Sequence, residues 1–153
     1  MRARNLKTEL YAPVTAAQVT IRLFENHSRT HKMKLLIVED NAEMRRLITG
    51  LVRDLAETIN ECSDGADALA AYIEYQPDWV LMDIKMAGLD GIAATRQLIA
   101  AFPQAQIVIV TDYGDAKLRA AASEAGACAY VIKEDLFALR GILGNKLDAK
   151  IDS

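Results

Sequence analysis

Between residues 33 and 147 the chain alternates between short uninterrupted apolar runs and longer stretches where apolar residues recur every three to four positions. The runs Leu35-Leu36-Ile37-Val38, Trp79-Val80-Leu81-Met82, Ile107-Val108-Ile109-Val110 and Tyr130-Val131-Ile132 have the length and β-branched content of strands buried on both faces. Thr58 to Cys62 reads as a shorter strand between the first two. Asn41 is placed to cap a first helix with Met44, Leu47, Ile48, Leu51 and Leu55 on its apolar side and Glu43, Arg46 and Arg53 outward. Asp64-Gly65 opens a second helix with Ala68, Leu69 and Tyr72 on one face, and Pro77 closes that unit. Asp90 begins a third helix through Ile99, with Pro103 beyond it. A fourth, Asp115 to Ala125, holds five alanines and Leu118 as its single large apolar residue, so it forms readily but buries little area. Gly126 is its stop. The last helix carries Leu136, Leu139, Leu143 and Leu147, interrupted by Gly141 and Gly144. Five strands alternating with five helices predict an α/β, doubly wound parallel sheet with right-handed crossovers.

Residues 1–32 do not share this pattern. They hold Pro13, scattered positive charges and the polar stretch Asn26 to Lys32, with Val19 to Phe24 alternating at period two as one stray strand candidate. Their apolar content is too thin to offset the entropy of ordering, so 1–32 is expected to be a poorly ordered N-terminal extension. Met33, directly before the first strand, can itself be the biological start. Residues 33–147 form the expected single domain and 148–153 a C-terminal tail. His27 and His31 lie in the extension, apart from the chemistry below, and receive no role.

Composition adds limits. With 52% hydrophobic and 25% charged residues the chain is an ordinary globular one. No apolar run approaches the roughly 18 residues that span a bilayer. No signal-like apolar core is present at the N-terminus, so no membrane role and a cytoplasmic location are expected. Charge is uneven: residues 1–33 carry six Lys/Arg against Glu9 and Glu25, a net of +4, leaving 12 basic and 19 acidic residues and a net of −7 beyond them. A domain so acidic is poorly suited to bind nucleic acid directly.

The chemistry sits where the apolar runs end. Counted as strands, the first is followed by Glu39-Asp40, the third by Asp83, the fourth by Thr111 and the fifth by Lys133. Doubly wound sheets bind ligands outside the carboxyl ends of their strands, where the strand order reverses. Three carboxylates gathered there repel unless a cation joins them, and hard oxygen ligands that leave room for water suit Mg²⁺. One carboxylate can then attack phosphorus while the lysine and hydroxyl hold phosphoryl oxygens. Each residue alone has a duller explanation: Glu39-Asp40 as caps of the Asn41 helix, Asp83 as a turn former, Thr111 as an ordinary strand end. Lys133 is harder to dismiss, because an ammonium closing a buried strand needs a carboxylate partner, and Asp83 is available.

The pair Glu39-Asp40, the run Asp83-Ile84-Lys85-Met86-Ala87-Gly88-Leu89-Asp90-Gly91, and then Thr111, Tyr130 and Lys133 resemble the receiver domain of two-component response regulators over roughly residues 33 to 147. The resemblance implies the flavodoxin-like receiver fold with strand order 2-1-3-4-5. It implies Asp83 as phosphoacceptor, with Lys133 and Thr111 assisting, and a Mg²⁺ ion held by Glu39, Asp40, Asp83 and the backbone carbonyl of Lys85. Thr111 and Tyr130 become the switch pair. The phosphodonor would be a histidine kinase or a histidine phosphotransfer protein in a two-component system or phosphorelay. The output would be a downstream protein docking on the face of helix 4, strand 5 and helix 5, near Phe137. Such a protein is not an enzyme in the usual sense; it catalyses only its own phosphorylation and dephosphorylation. The chain ends about 20 residues after Lys133, so a single-domain regulator or relay intermediate is expected unless it belongs to something longer. The competing class is a pseudo-receiver, a docking module of the same fold without phosphoryl chemistry. A phosphatase with an aspartate nucleophile is a distant third.

Three positions depart from the family pattern. Ala87 stands where proline usually follows the methionine, which loosens that loop. Glu134 stands where proline usually follows the lysine behind a cis bond; without proline a cis bond costs about 2.5–4 kcal/mol, so Lys133–Glu134 is expected trans. Asp112 stands where a small residue is usual and adds a carboxylate at the rim, as an anion repelling phosphate, a base for water, or an outward bystander. Cys62 and Cys128 fall on opposite edges of a 2-1-3-4-5 sheet, on the order of 19 Å apart at ~4.8 Å per strand, which excludes a disulfide. Both are expected to be buried thiols.

Overall fold

The computed structural model describes residues 32–149, with side chains placed as far as Asn145. The predicted extension up to residue 31, its segment Val19 to Phe24, His27 and His31, and residues 150–153 of the tail lie outside the described residues. Strands β1 (Met33–Val38), β2 (Ala56–Cys62), β3 (Trp79–Met82), β4 (Ile107–Thr111) and β5 (Ala129–Ile132) alternate with helices α1 (Ala42–Val52), α2 (Ala68–Tyr75), α3 (Gly91–Ala101), α4 (Ala116–Ala125) and α5 (Ala138–Ala149). Every pairing is parallel and the sheet order is β2-β1-β3-β4-β5, as expected.

The continuous apolar runs are explained by burial on both faces. Leu36, Val38, Val80, Met82, Ile107 and Ile109 face α2, α3 and α4, meeting Ala68, Leu98 and Ala122 among others. Their strand neighbours Leu35, Ile37, Trp79, Leu81, Val108 and Val110 face α1 and α5, meeting Ile48, Val52, Leu139 and Leu143. Helix starts follow the predicted caps. Asn41 Oδ1 accepts from the Met44 amide at 2.9 Å, Asp90 Oδ1 from Ile92 and Ala93, and Asp115 Oδ1 from Lys117 and Leu118. Gly126 ends α4 at φ 105°, a left-handed conformation that glycine adopts without penalty.

Boundaries shift where pairing or packing continues past the local signal. β2 begins at Ala56 because Met33 pairs with it, α3 runs on to Ala101, and α5 reaches Ala149, into the expected tail. All peptide bonds among the described residues are trans, Lys133–Glu134 included.

Two expectations are corrected. Leu47, assigned to the apolar face of α1, is 57% exposed, because its side chain stands over the open cavity that it helps to line instead of joining Ile48 and Val52 in the core. Neither cysteine is fully buried: Cys62 is half-buried, and Cys128 is exposed, since it precedes β5 at the edge of the sheet, its thiol donating to the Ile107 carbonyl at 3.3 Å. Among the described residues no helix is long and apolar enough to cross a membrane.

Candidate functional site

The carboxyl ends of β1, β3, β4 and β5 converge on one cavity of about 470 Å³, lined by Glu39, Asp40, Asp83, Lys85, Asp112, Tyr113 and Lys133 and walled by the cap Asn41 and by Glu43, Met44 and Leu47 of α1. Sheet hydrogen bonding continues just beyond the strands and fixes the acidic residues: the Glu39 amide donates to the Cys62 carbonyl at 3.0 Å, and the Asp83 amide to the Val38 carbonyl at 2.9 Å. Glu39 is 1% exposed and Asp83 6%, whereas Asp40 is exposed.

Lys133 Nζ lies 2.7 Å from Glu39 Oε2 and 3.2 Å from Asp83 Oδ2, with Asp112 Oδ2 farther at 3.8 Å. Burial pushes the carboxyl groups of Glu39 and Asp83 above their ordinary values, Lys133 only partly countering it. For Lys133, burial pulls the ammonium down, but the close contact with Glu39 and the charges of Asp83 and Glu39 outweigh it, so it is held above its ordinary value. The remaining acceptors are partly spoken for. Glu39 Oε1 accepts from the Asn41 amide at 3.0 Å, and Asp83 Oδ1 from the Ile84 amide at 2.8 Å.

The donor set fits a hard divalent cation. Oxygens of Glu39, Asp40 and Asp83 all lie within 4.8 Å of one another. Glu39 Oε2 is buried and makes the ion pair with Lys133 but no hydrogen bond of good geometry. Three carboxylates, two of them buried, face one nearby ammonium, and a bound cation would offset the excess negative charge.

The other predicted residues fall at graded distance from this centre. Thr111 is fully buried at the end of β4, and its Oγ1 accepts weakly from the Tyr113 amide at 3.4 Å. Tyr130, in β5, does not line the cavity; its hydroxyl donates to the Tyr113 carbonyl at 2.6 Å and its ring lies 4.6 Å beneath the Arg119 guanidinium. Asp112 points largely outward, its side chain 67% exposed. The Lys85 ammonium sits 3.9 Å over the Tyr113 ring, bridging two loops across the mouth.

Three contributors were not singled out from sequence. Arg45 of α1 donates to the backbone carbonyls of Glu39 at 2.7 Å and Asp40 at 3.1 Å, tying the acidic pair to the helix it precedes. Gly91 packs so tightly on the Asp83 carbonyl that a Cβ would collide with that backbone, and its amide donates to the Ile84 carbonyl at 2.8 Å. Asp64, expected only to open α2, accepts from the Ala66 amide at 2.9 Å and the Leu89 amide at 3.2 Å. For Arg45 a hint was available, one helical turn past the acidic pair; the partners of Gly91 and Asp64 are set by the fold.

Residues 35–141 match the family model of the response regulator receiver domain. The chemotaxis protein CheY of Bacillus subtilis is 37% identical over 101 residues, covering 65% of this chain and 84% of CheY. The response regulator GacA of Pseudomonas aeruginosa is 34% identical over 103 residues, covering 66% of this chain and 48% of GacA. An uncharacterized transcriptional regulatory protein of Bacillus subtilis, YhcZ, is 36% identical over 67% of this chain and 49% of its own length. The chain thus spans about half the length of GacA and YhcZ. Among solved structures, a LuxR-family two-component response regulator from Aurantimonas sp. SI85-9A1 superposes with a TM-score of 0.71 at 29% identity, covering 77% of this chain and 86% of that one. A CheY-like receiver domain protein from Methanospirillum hungatei has the same fold, with a TM-score of 0.71 at 20% identity over 79% and 98% of the two chains.

Proposed function

This chain belongs to the response regulator receiver domain family, and on that premise we propose that it is a working phosphoacceptor switch of two-component signalling, in which Asp83 takes a phosphoryl group and the change alters a protein-docking surface. The observation that carries this reading is the buried contact of Lys133 with both Asp83 and Glu39. With Asp83 as the nucleophile, the contact sets a cation for the incoming oxygens beside it in one cavity. A docking module without chemistry has no need to bury that arrangement and bear its desolvation cost.

In the proposed transfer an Asp83 carboxylate oxygen forms the bond to phosphorus. The bond from phosphorus to the imidazole nitrogen of a phosphohistidine breaks, and the electron pair leaves with the imidazole, which takes a proton. Lys133 turns its ammonium toward the transferred oxygens. The Thr111 hydroxyl, one residue from the rim, donates to another. Glu39, Asp40, Asp83 and the Lys85 carbonyl would hold Mg²⁺, which supplies positive charge to the phosphoryl oxygens when bound. Such chemistry depends mainly on positioning and charge neutralisation. The donor is a histidine kinase or histidine phosphotransfer protein; a CheX–CheY complex with BeF₃ and Mg²⁺ from Borrelia burgdorferi is among the proteins sharing the fold.

The test is incubation with acetyl phosphate and Mg²⁺, followed by intact mass. A lasting adduct supports the switch, no adduct the docking module, and fast turnover without accumulation the hydrolase. Asp112 enters as a minor influence, because it is exposed and 3.8 Å from Lys133. Exposed pairs contribute about 0–1 kcal/mol, so Asp112→Ala is expected to change the phosphorylation rate and adduct lifetime by less than about fivefold. A larger rise in lifetime would make Asp112 a base for water.

The output surface is the face of α4, β5 and α5. Within α4 only Ala122 and Ala125 are fully buried, so the helix is held by little area and moves cheaply. Tyr130 connects it to the site through Tyr113, and Phe137 is 71% exposed nearby. Phosphorylation is expected to alter amide hydrogen exchange within residues 113–140. Changes confined to α1 and α2 would place the output elsewhere.

A further inference from the structure

The loop from Ile84 to Asp90 carries the Lys85 carbonyl and contains Ala87 and Gly88 but no proline, so its covalent backbone is pliable. It is nevertheless pinned. Its near end is held by the Gly91 amide on the Ile84 carbonyl. Its far end rests against the turn after β2 through an interlock of two glycines and one aspartate. The Asp64 carboxylate accepts from the Leu89 amide at 3.2 Å while holding its own turn through the Ala66 amide at 2.9 Å. Gly88 leaves room for that carboxylate, since a Cβ there would collide with both of its oxygens. Gly65 leaves room for the Leu89 carbonyl in the same way.

We propose that Asp64 is a positioning residue for the cation site: through the Leu89 amide and the fit of Gly88 it fixes the loop that presents the Lys85 carbonyl. The inference rests on the cation reading above. Mg²⁺ demands nearly ideal octahedral geometry at about 2.0–2.1 Å, so a carbonyl that drifts with its loop is a poor ligand. Residues that orient metal ligands from behind typically change affinity tenfold or more when removed; Asp64 acts one step farther away, through the backbone.

The experiment is a Mg²⁺ titration of the full chain followed by amide chemical shifts, with thermal unfolding measured in parallel. Asp64→Ala is expected to raise the Mg²⁺ dissociation constant about five- to tenfold. Asp64→Asn, which keeps the acceptor oxygen, should stay within about twofold of wild type. Gly88→Ala, which displaces the carboxylate while leaving it in the chain, should weaken Mg²⁺ as Asp64→Ala does. A lower melting temperature with unchanged Mg²⁺ affinity in Asp64→Ala would overturn the inference and leave a structural brace only. Should Asp64→Ala fail to fold, unchanged affinity in Gly88→Ala overturns it equally. Absence of Mg²⁺ binding by the wild type would instead overturn the cation reading on which it stands.

Discussion

Asp83→Asn is expected to abolish the acetyl phosphate adduct, with no signal above background by intact mass while wild type is modified under the same conditions. The amide keeps the size and the hydrogen bond from Ile84, so the fold should persist. What disappears is a nucleophilic oxygen bearing charge, and with it one of three carboxylates in the cation cluster. Mg²⁺ affinity should fall in the same variant. Because Asp83 is buried at the end of β3 and no other carboxylate pairs as closely with Lys133 except Glu39, a residual adduct would have to be mapped. Modification at Glu39 or Asp40 at the wild-type rate would sink the assignment of Asp83.

Lys133→Met should have the largest effect on stability. The Lys133 side chain is nearly inaccessible, at 7% exposure, and its ammonium contacts two carboxylates whose side chains are at least as buried. Removing one partner of a buried ion pair costs about 3–5 kcal/mol, because the other is left charged in a poor medium. The deficit is expected at pH 7 in EDTA by denaturant unfolding. Its pH dependence follows from the direction of the shifts. Glu39 and Asp83 are raised by burial above their ordinary values of 4.5 and 3.8. Carboxyl groups of that kind favour the folded state most below their ordinary values, and the contribution is lost as pH rises through the elevated ones. Without Lys133 chiefly the Asn41 and Ile84 amides still hold those shifts down, so the variant should recover toward wild type near pH 4 and fall behind as pH rises. Lys133 itself is raised above 10.5, so in the wild type its stabilisation persists at neutral pH and is lost only as pH rises through that elevated value. Mg²⁺ should narrow the gap at neutral pH by neutralising the same carboxylates. A deficit independent of both pH and Mg²⁺ would mean that the loss is one of packing, from the aliphatic stem.

The elements were legible because each carries its own local signal. Strands covered on both faces must be apolar throughout, as Ile107 to Val110 are, and Asn41, Asp90, Asp115 and Gly126 mark helix ends by chemistry that acts within three residues. Glu39, Asp83 and Lys133 were legible for a related reason: polar residues that abruptly close apolar runs need partners, and a parallel sheet gathers strand ends at one edge. What escaped depends on contacts far apart in the chain. Asp64 meets Leu89 across 25 positions, and Arg140 grips the Asp54 carboxylate and the Leu51 carbonyl across more than 80. Neither partner is written in the local pattern. Leu47 and Cys128 failed differently. Periodicity says which side of an element is apolar, but not where that side opens on a cavity, and the general burial of free cysteine says nothing of one just ahead of an edge strand.

The uneven exposure of the two thiols has a practical consequence. Burial holds the Cys62 thiol above its ordinary value and shields it, which disfavours the thiolate that reacts with alkylating reagents. Cys128 is exposed and stands two residues before Tyr130. A maleimide dye at low stoichiometry should therefore label Cys128 selectively in the native protein. With no engineered substitution, the chain carries an optical reporter at the head of β5, where a change at Tyr130 can be followed in real time.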